Sequence, residues 1–189
     1  MMHALVALLF FFGQPFWEAQ PAGKWSNQQI ELLLSNSPWA QGAGPSPAVL
    51  VYLATAKPIQ EPEAELRVRG KKPLHEPDPD YAEHITSHHD EHLVLAIPYT
   101  NLAKLGKEED HRRMEQESVM LIGRSKRYKI AGSFPPTPSD PVLRLVFPRE
   151  VQKTDKTVTF RLYLPGIDFP EREIEFPVKD LMYHGKLEM

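Results

Sequence analysis

The densest group of potential ligands in the chain is His84, His88, His89 and His92, with Asp90 and Glu91 among them. His84 and His88 are one helical turn apart, and so are His88 and His92. That spacing lets one face of a helix grip a metal ion with two imidazoles. In an extended segment His88 and His92 still share a face, now with Asp90. His88 and His92 are therefore the expected pair, joined by His84 if the segment is helical and by Asp90 if it is a strand. Imidazole and carboxylate suit zinc, nickel or copper, and a chain with no cysteine has no thiolate for an iron–sulfur cluster. The competing reading is a solvated loop ahead of a strand whose histidines bind nothing. No supporting hydrogen-bond partner for the imidazoles can be read from the sequence.

Other chemistry is poorly represented. Arg124, Lys126, Arg127 and Lys129 surround Tyr128, and Arg67, Arg69, Lys71 and Lys72 form a second basic run. A basic strand with an aromatic can grip phosphate. Both runs alternate with apolar residues, however, as the wet face of an edge strand does, where lysines deter edge-to-edge pairing. Net charge is −3, which gives no bulk attraction to nucleic acid or to an anionic membrane. There is no Gly-x-Ser-x-Gly elbow, no cysteine nucleophile and no glycine-rich phosphate loop. Carboxylates are plentiful, so a hydrolase with dispersed carboxylates is a third reading, but a catalytic pair is defined by a distance that loops do not encode. The expectation is a protein that is not an enzyme, with no cofactor other than a divalent metal at His84, His88 and His92.

The elements that must position these residues are mostly strands. In Thr157 to Leu164 the apolar Val158, Phe160, Leu162 and Leu164 alternate with Thr157, Thr159, Arg161 and Tyr163. Such alternation means one buried face and one wet face. Leu143, Leu145 and Phe147 repeat it upstream, Ile174, Phe176 and Val178 downstream, and Tyr183 to Met189 carries it to the end. Val49 to Ala54, Leu66 with Val68, Leu93 to Ile97 and Val119 to Ile122 read as further strands. Gly70 to Tyr81 reads as loop, Asn101 to Leu105 as a helical turn closed by Gly106, and Lys107 to Gln116 as solvated and partly helical. Ser133 to Pro141 reads as a connector. The 19 prolines favour short strands and long connections. The expected fold is all-β, an antiparallel β-sandwich of about seven to nine strands with one short N-terminal helix.

That helix follows Lys24. Ser26 and Gln29 make a capping box, and Trp25 with Ile30 a hydrophobic staple. Ile30, Leu33 and Leu34 form the apolar stripe, and Pro38 stops the helix near Asn36. Trp25 and Trp39 then read as core anchors that dock the helix, rather than as a ligand platform. Gln41 to Pro47 reads as a Gly/Pro/Ser linker. Ahead of the helix, Ala4 to Phe12 is a continuous apolar run, too short to span a bilayer and placed like the core of a secretory leader. The expected divisions are a signal peptide at 1–22, helix and linker at 23–47, and the sandwich at 48–189. After leader removal no stable membrane span is expected.

Lys24-Trp25-Ser26 leading to Ser37-Pro38-Trp39-Ala40, with the closing run from Phe176 to Glu188 that ends Gly185-Lys186-Leu187-Glu188, resembles a group of uncharacterised exported bacterial proteins best represented in Acidobacteria. The resemblance covers the two ends of the chain. It implies export and a β-rich body, and it implies no catalytic residue. In related sequences the segment matching Val49 to Ala64 looks like a strand followed by a helix, against which Pro58 and Pro62 stand here. The expected function is an exported, non-catalytic module that binds a protein or glycan in the cell envelope or outside the cell. The alternative is a periplasmic metal-binding protein using the histidines. An exposed aromatic row would favour the first, and converging histidines the second.

Overall fold

The structure, a computed structural model, describes residues 14–46, 48–70, 77–99 and 108–189. The candidate leader core Ala4 to Phe12, the turn expected at Asn101 to Gly106, and Lys71 with Lys72 lie outside these residues.

Two antiparallel sheets make the frame. The first joins β1 (Ala40–Ala43), β2 (Val49–Leu53), β3 (His92–Pro98), β7 (Val142–Pro148) and β6 (Gly132–Phe134), in that spatial order. The second joins β5 (Lys126–Lys129), β4 (Val119–Ile122), β8 (Thr157–Tyr163) and β9 (Glu171–Pro177). A hairpin of β10 (Met182–Tyr183) and β11 (Lys186–Leu187) closes the chain. Its turn places His184 and Gly185 both at positive φ, as a two-residue hairpin turn requires. The register of β3 on β7 opposes Leu93 to Phe147, Leu95 to Leu145 and Ile97 to Leu143, and all six are buried. Phe147 meets Phe160 of the second sheet edge to face at 5.2 Å, and Phe160 meets Phe176 at 5.9 Å. One core therefore lies between the sheets, and each such aromatic pair adds about 1 kcal/mol beyond area burial.

The all-β expectation is too narrow. Helix is nearly as abundant as strand, 32% against 33%, and the described residues hold five α-helices where one was expected. These are α1 (Phe16–Ala19), α2 (Asn27–Ser35), α3 (Lys57–Val68), α4 (Pro79–His88) and α5 (Glu108–Glu117). Helix α2 follows the sequence signals closely. Ser26 and Gln29 complete both halves of the capping box, and Ile30, Leu33 and Leu34 are the buried stripe.

Helix α3 replaces the strand expected at Leu66 and Val68. Pro58 sits in its first turn, where no amide donor is needed, and only Pro62 removes an interior bond. Both prolines lie beside Ile59 on the buried face, so they pack the helix as well as strain it. The orphan amide of Lys57 at its start lies 3.4 Å from Glu188 Oε2, a carboxylate placed where the helix dipole favours one. Strand β1 occupies the expected linker, pairing Ala40 to Tyr52 through Ala43 to Val49, because pairing with the apolar β2 outweighs its Gly-rich composition. Ser133 and Phe134, expected in a connector, pair with β7 as β6.

The body also begins before Ala22. Phe16 and Trp17 of α1 pack edge to face on Trp25 and Trp39, at 5.9 and 5.8 Å, and Glu18 Oε1 accepts the His184 amide at 2.8 Å. Trp39 is fully buried and its Nε1–H donates to the Glu188 carbonyl at 2.9 Å. The Ser-Pro-Trp-Ala segment and the Gly-Lys-Leu-Glu segment thus form one structural joint between the two ends of the chain.

Candidate metal centre

The histidine segment is helix and strand in succession. Asp78 caps α4, its carboxylate accepting the Asp80 amide at 3.0 Å, and Pro79 opens the helix. This overturns the loop expected through Tyr81. Asp78-Pro79 ahead of the Tyr81 and Ile85 spacing was the available signal. Tyr81, His84, Ile85 and His88 fall at i, i+3, i+4 and i+7, one stripe of the helix. That stripe covers the outer face of the first sheet, where Tyr81 and Ile85 pack with Val94, Val146 and Phe134. His92 opens β3, and alternation puts it on the same outer face as Val94. Helix and strand thereby bring three imidazoles together.

Ring centres of His84 and His88 are 5.0 Å apart, His84 and His92 5.1 Å, and His88 and His92 5.6 Å. Phe134 closes one side, 5.2 Å from His84. The other three candidates, His89, Asp90 and Glu91, are not in the cluster. His89 turns its Nδ1 to Asp90 Oδ1 at 3.4 Å, and the Asp90 side chain is wholly exposed. Glu91 Oε2 lies 3.4 Å from His88 Nδ1 at the solvent edge.

His84 Nε2 and His92 Nδ1 are buried without a hydrogen-bond partner. A buried polar atom left unpartnered is unfavourable by about 1–3 kcal/mol and calls for an explanation. Burial lowers the His84 pKa below its ordinary 6.5, and His92 and His88 push the same way. Both effects favour the neutral ring, the form that coordinates metal.

The donors fit a metal in kind and in spacing. Imidazoles around a tetrahedral ion, each nitrogen about 2 Å from the metal, have ring centres about 5 Å apart. Orientation is the part that does not yet fit. His84 and His92 lie face to face, 6° from parallel, so their in-plane lone pairs run side by side instead of converging. Correspondingly, no three His, Cys, Asp or Glu among the described residues enclose a metal position as the rings stand. Rotation of a ring about its side-chain bonds is needed to close the sphere.

Elsewhere, β5 with Lys126, Arg127 and Lys129 is the edge strand of the second sheet, with all three exposed, as the solvated reading has it. Arg69 of the other basic run pairs with Glu65 at 3.1 Å. A cleft of about 460 Å³ between α5, β8 and β9 is lined by Glu117, Arg161, Tyr163, Glu171 and Glu173 among others, and Arg161 is paired with Glu173 at 2.7 Å. No family model matches this chain, and no curated protein or solved structure is significantly similar to it.

Proposed function

We propose that this is an exported, non-catalytic protein that binds a divalent transition metal through His84, His88 and His92. The observation that carries the reading is the meeting of three imidazoles, two from α4 and one from β3, at ring separations of 5.0 to 5.6 Å. The two unpartnered ring nitrogens support it, since a metal would give them a partner. Zinc, nickel and copper suit an all-imidazole set, and water can complete the sphere. Export rests on the apolar run Ala4 to Phe12. No helix among the described residues is long and apolar enough to cross a membrane. The protein- or glycan-binding reading has less support. Among the described residues, the exposed large apolar side chains Leu32, Val68 and Phe169 stand singly, on α2, at the end of α3 and in the loop between β8 and β9, and make no aromatic row.

Zinc titration by calorimetry tests the reading, comparing wild type with His88→Ala/His92→Ala at about pH 7.5 and about pH 5.5. Tight binding by wild type at the higher pH, lost on acidification and lost in the double variant, is the expected result. Weak binding that is equal in both proteins would return the histidines to an ordinary surface.

A further inference from the structure

Arg149 lies just past β7 and runs its guanidinium beneath the turn that joins α4 to β3. Its Nε donates to the His89 carbonyl at 3.1 Å, its Nη2 to the His92 carbonyl at 2.9 Å, and its Nη1 to the Met189 carbonyl at 2.9 Å. Its own backbone amide donates to the Glu91 carbonyl at 2.8 Å. None of these contacts is with an Asp or Glu side chain. Burial opposes the charge, while Glu188 and Asp90 act in its favour from farther off. A partly buried guanidinium committed to main-chain carbonyls trades favourable hydration for a fixed backbone.

The backbone it fixes is the short passage between His88 and His92. His84 and His88 are placed by the packing of α4, and His92 by the pairing of β3 with β7. The passage between them sets how far the strand-borne ring stands from the two helix-borne rings. Arg149 bonds to His89, Glu91 and His92, which span that passage, and anchors them to the chain's last strand region at Met189. We infer that Arg149 is a positioning residue of the metal site, holding the 89–92 turn so that His92 stays within reach of His84 and His88. This inference rests on the metal-binding reading of the same cluster.

The molecule contains its own control. Arg172 is a second buried guanidinium bonded to three main-chain carbonyls, those of Asp168, Phe169 and Glu171, in the loop between β8 and β9. Lysine at either position keeps the charge but lacks the planar fork that reaches several acceptors at once. Zinc titration of wild type, Arg149→Lys and Arg172→Lys, run well below each protein's melting temperature, separates positioning from general stability. Arg149→Lys should weaken zinc by about tenfold or more, the range typical when a group that orients metal ligands is lost. Arg172→Lys should bind as wild type does, although it melts earlier.

Wild-type affinity in Arg149→Lys overturns the inference and leaves the metal site standing. Equal weakening by both lysine variants overturns it too, because the loss would then follow stability alone. A wild type that takes no zinc removes the metal reading and the inference with it. If Arg149→Lys does not fold, hydrogen exchange of the wild type decides. Zinc should slow exchange of the Arg149 amide, bonded to Glu91, more than that of the Leu164 amide, bonded to Pro170 in the control loop. Equal protection of the two amides would overturn the inference.

Discussion

Helix α4 meets the first sheet at two ends that treat polar groups in opposite ways. At its start, the Arg144 guanidinium lies 4.0 Å from the centre of the Tyr81 ring and grips Asp140 with both terminal nitrogens, at 2.6 and 3.1 Å. The same carboxylate accepts the Asp78 amide at 2.8 Å, so it also fixes the residue that caps the helix. Only Arg144 Nε is left over. At the other end, three imidazoles crowd together, and neither buried ring nitrogen of His84 or His92 has a partner. Burial alone does not distinguish these ends. What differs is whether the polar groups satisfy one another, and a group left unsatisfied in a well-packed site is the better candidate for an external ligand.

Removing the carboxylate should produce the largest effect and the sharpest contrast. Asp140→Ala leaves a guanidinium buried and unpaired, a change that typically destabilises by about 3–5 kcal/mol. Urea denaturation measures it. Zinc affinity of the folded variant should be close to that of wild type, since the pair and the histidines sit at opposite ends of α4. A loss of stability below about 1 kcal/mol would mean that the pair does not hold the start of α4. Equal losses of zinc affinity and stability would merge the two ends into one cooperative unit.

Trp39→Ala comes next and removes the joint between the two ends of the chain. A fully buried indole that also donates to Glu188 should be worth about 3 kcal/mol or more. Unchanged thermal stability with a lost ligand would reassign Trp39 to a binding platform.

How much of this was legible depended on whether the deciding contact was local. The capping box of Ser26 and Gln29, the stripe of Ile30, Leu33 and Leu34, and the alternation from Thr157 to Leu164 are local and appear as read, except that Tyr163, expected on the wet face, is buried with its hydroxyl donating to Asp110 of α5. Helix α3 was hidden because Pro58 and Pro62 are breakers in isolation, yet one is harmless in the first turn and both serve the buried face. Strand β1 was hidden because its composition is that of a linker and only its partner β2 makes it a strand. For the histidines, spacing allowed either a helix or a strand, and the chain uses each in turn. The passage between them is held by Arg149, far along the sequence, and no local pattern announces that bond.

If His92 is retained for a ligand and not for the fold, the metal-free protein should tolerate its removal. His92→Leu replaces a buried, unpartnered nitrogen with apolar volume on a sheet face beside Val94. Without metal, stability should rise by about 1 kcal/mol, as expected when an unsatisfied buried group is deleted. Denaturation in the presence of chelator measures this, and zinc titration of the same variant should show the site gone. A loss of stability in chelator would mean that the stacked imidazoles contribute to packing, and the two ends of α4 would no longer differ.

The smallest expected effect is on pH dependence. Burial first, then His92 and His88, holds the His84 pKa below its ordinary 6.5 in the folded chain. Between that lowered value and 6.5 the unfolded chain binds the proton and the folded chain does not. The unfolded state therefore carries more protons, and stability falls as pH falls through this window. Above 6.5 His84 is neutral in both states and contributes no slope. Urea midpoints measured in chelator from about pH 7.5 down to about pH 5 should decline more steeply for wild type than for His84→Phe, which keeps a ring against Phe134 but cannot titrate. Parallel slopes in wild type and His84→Phe would show that His84 is as free to protonate in the folded chain as in the unfolded one. The crowding of three imidazoles would then carry no electrostatic consequence, and the C-terminal end of α4 would be as ordinary a surface as its polar sequence first implied.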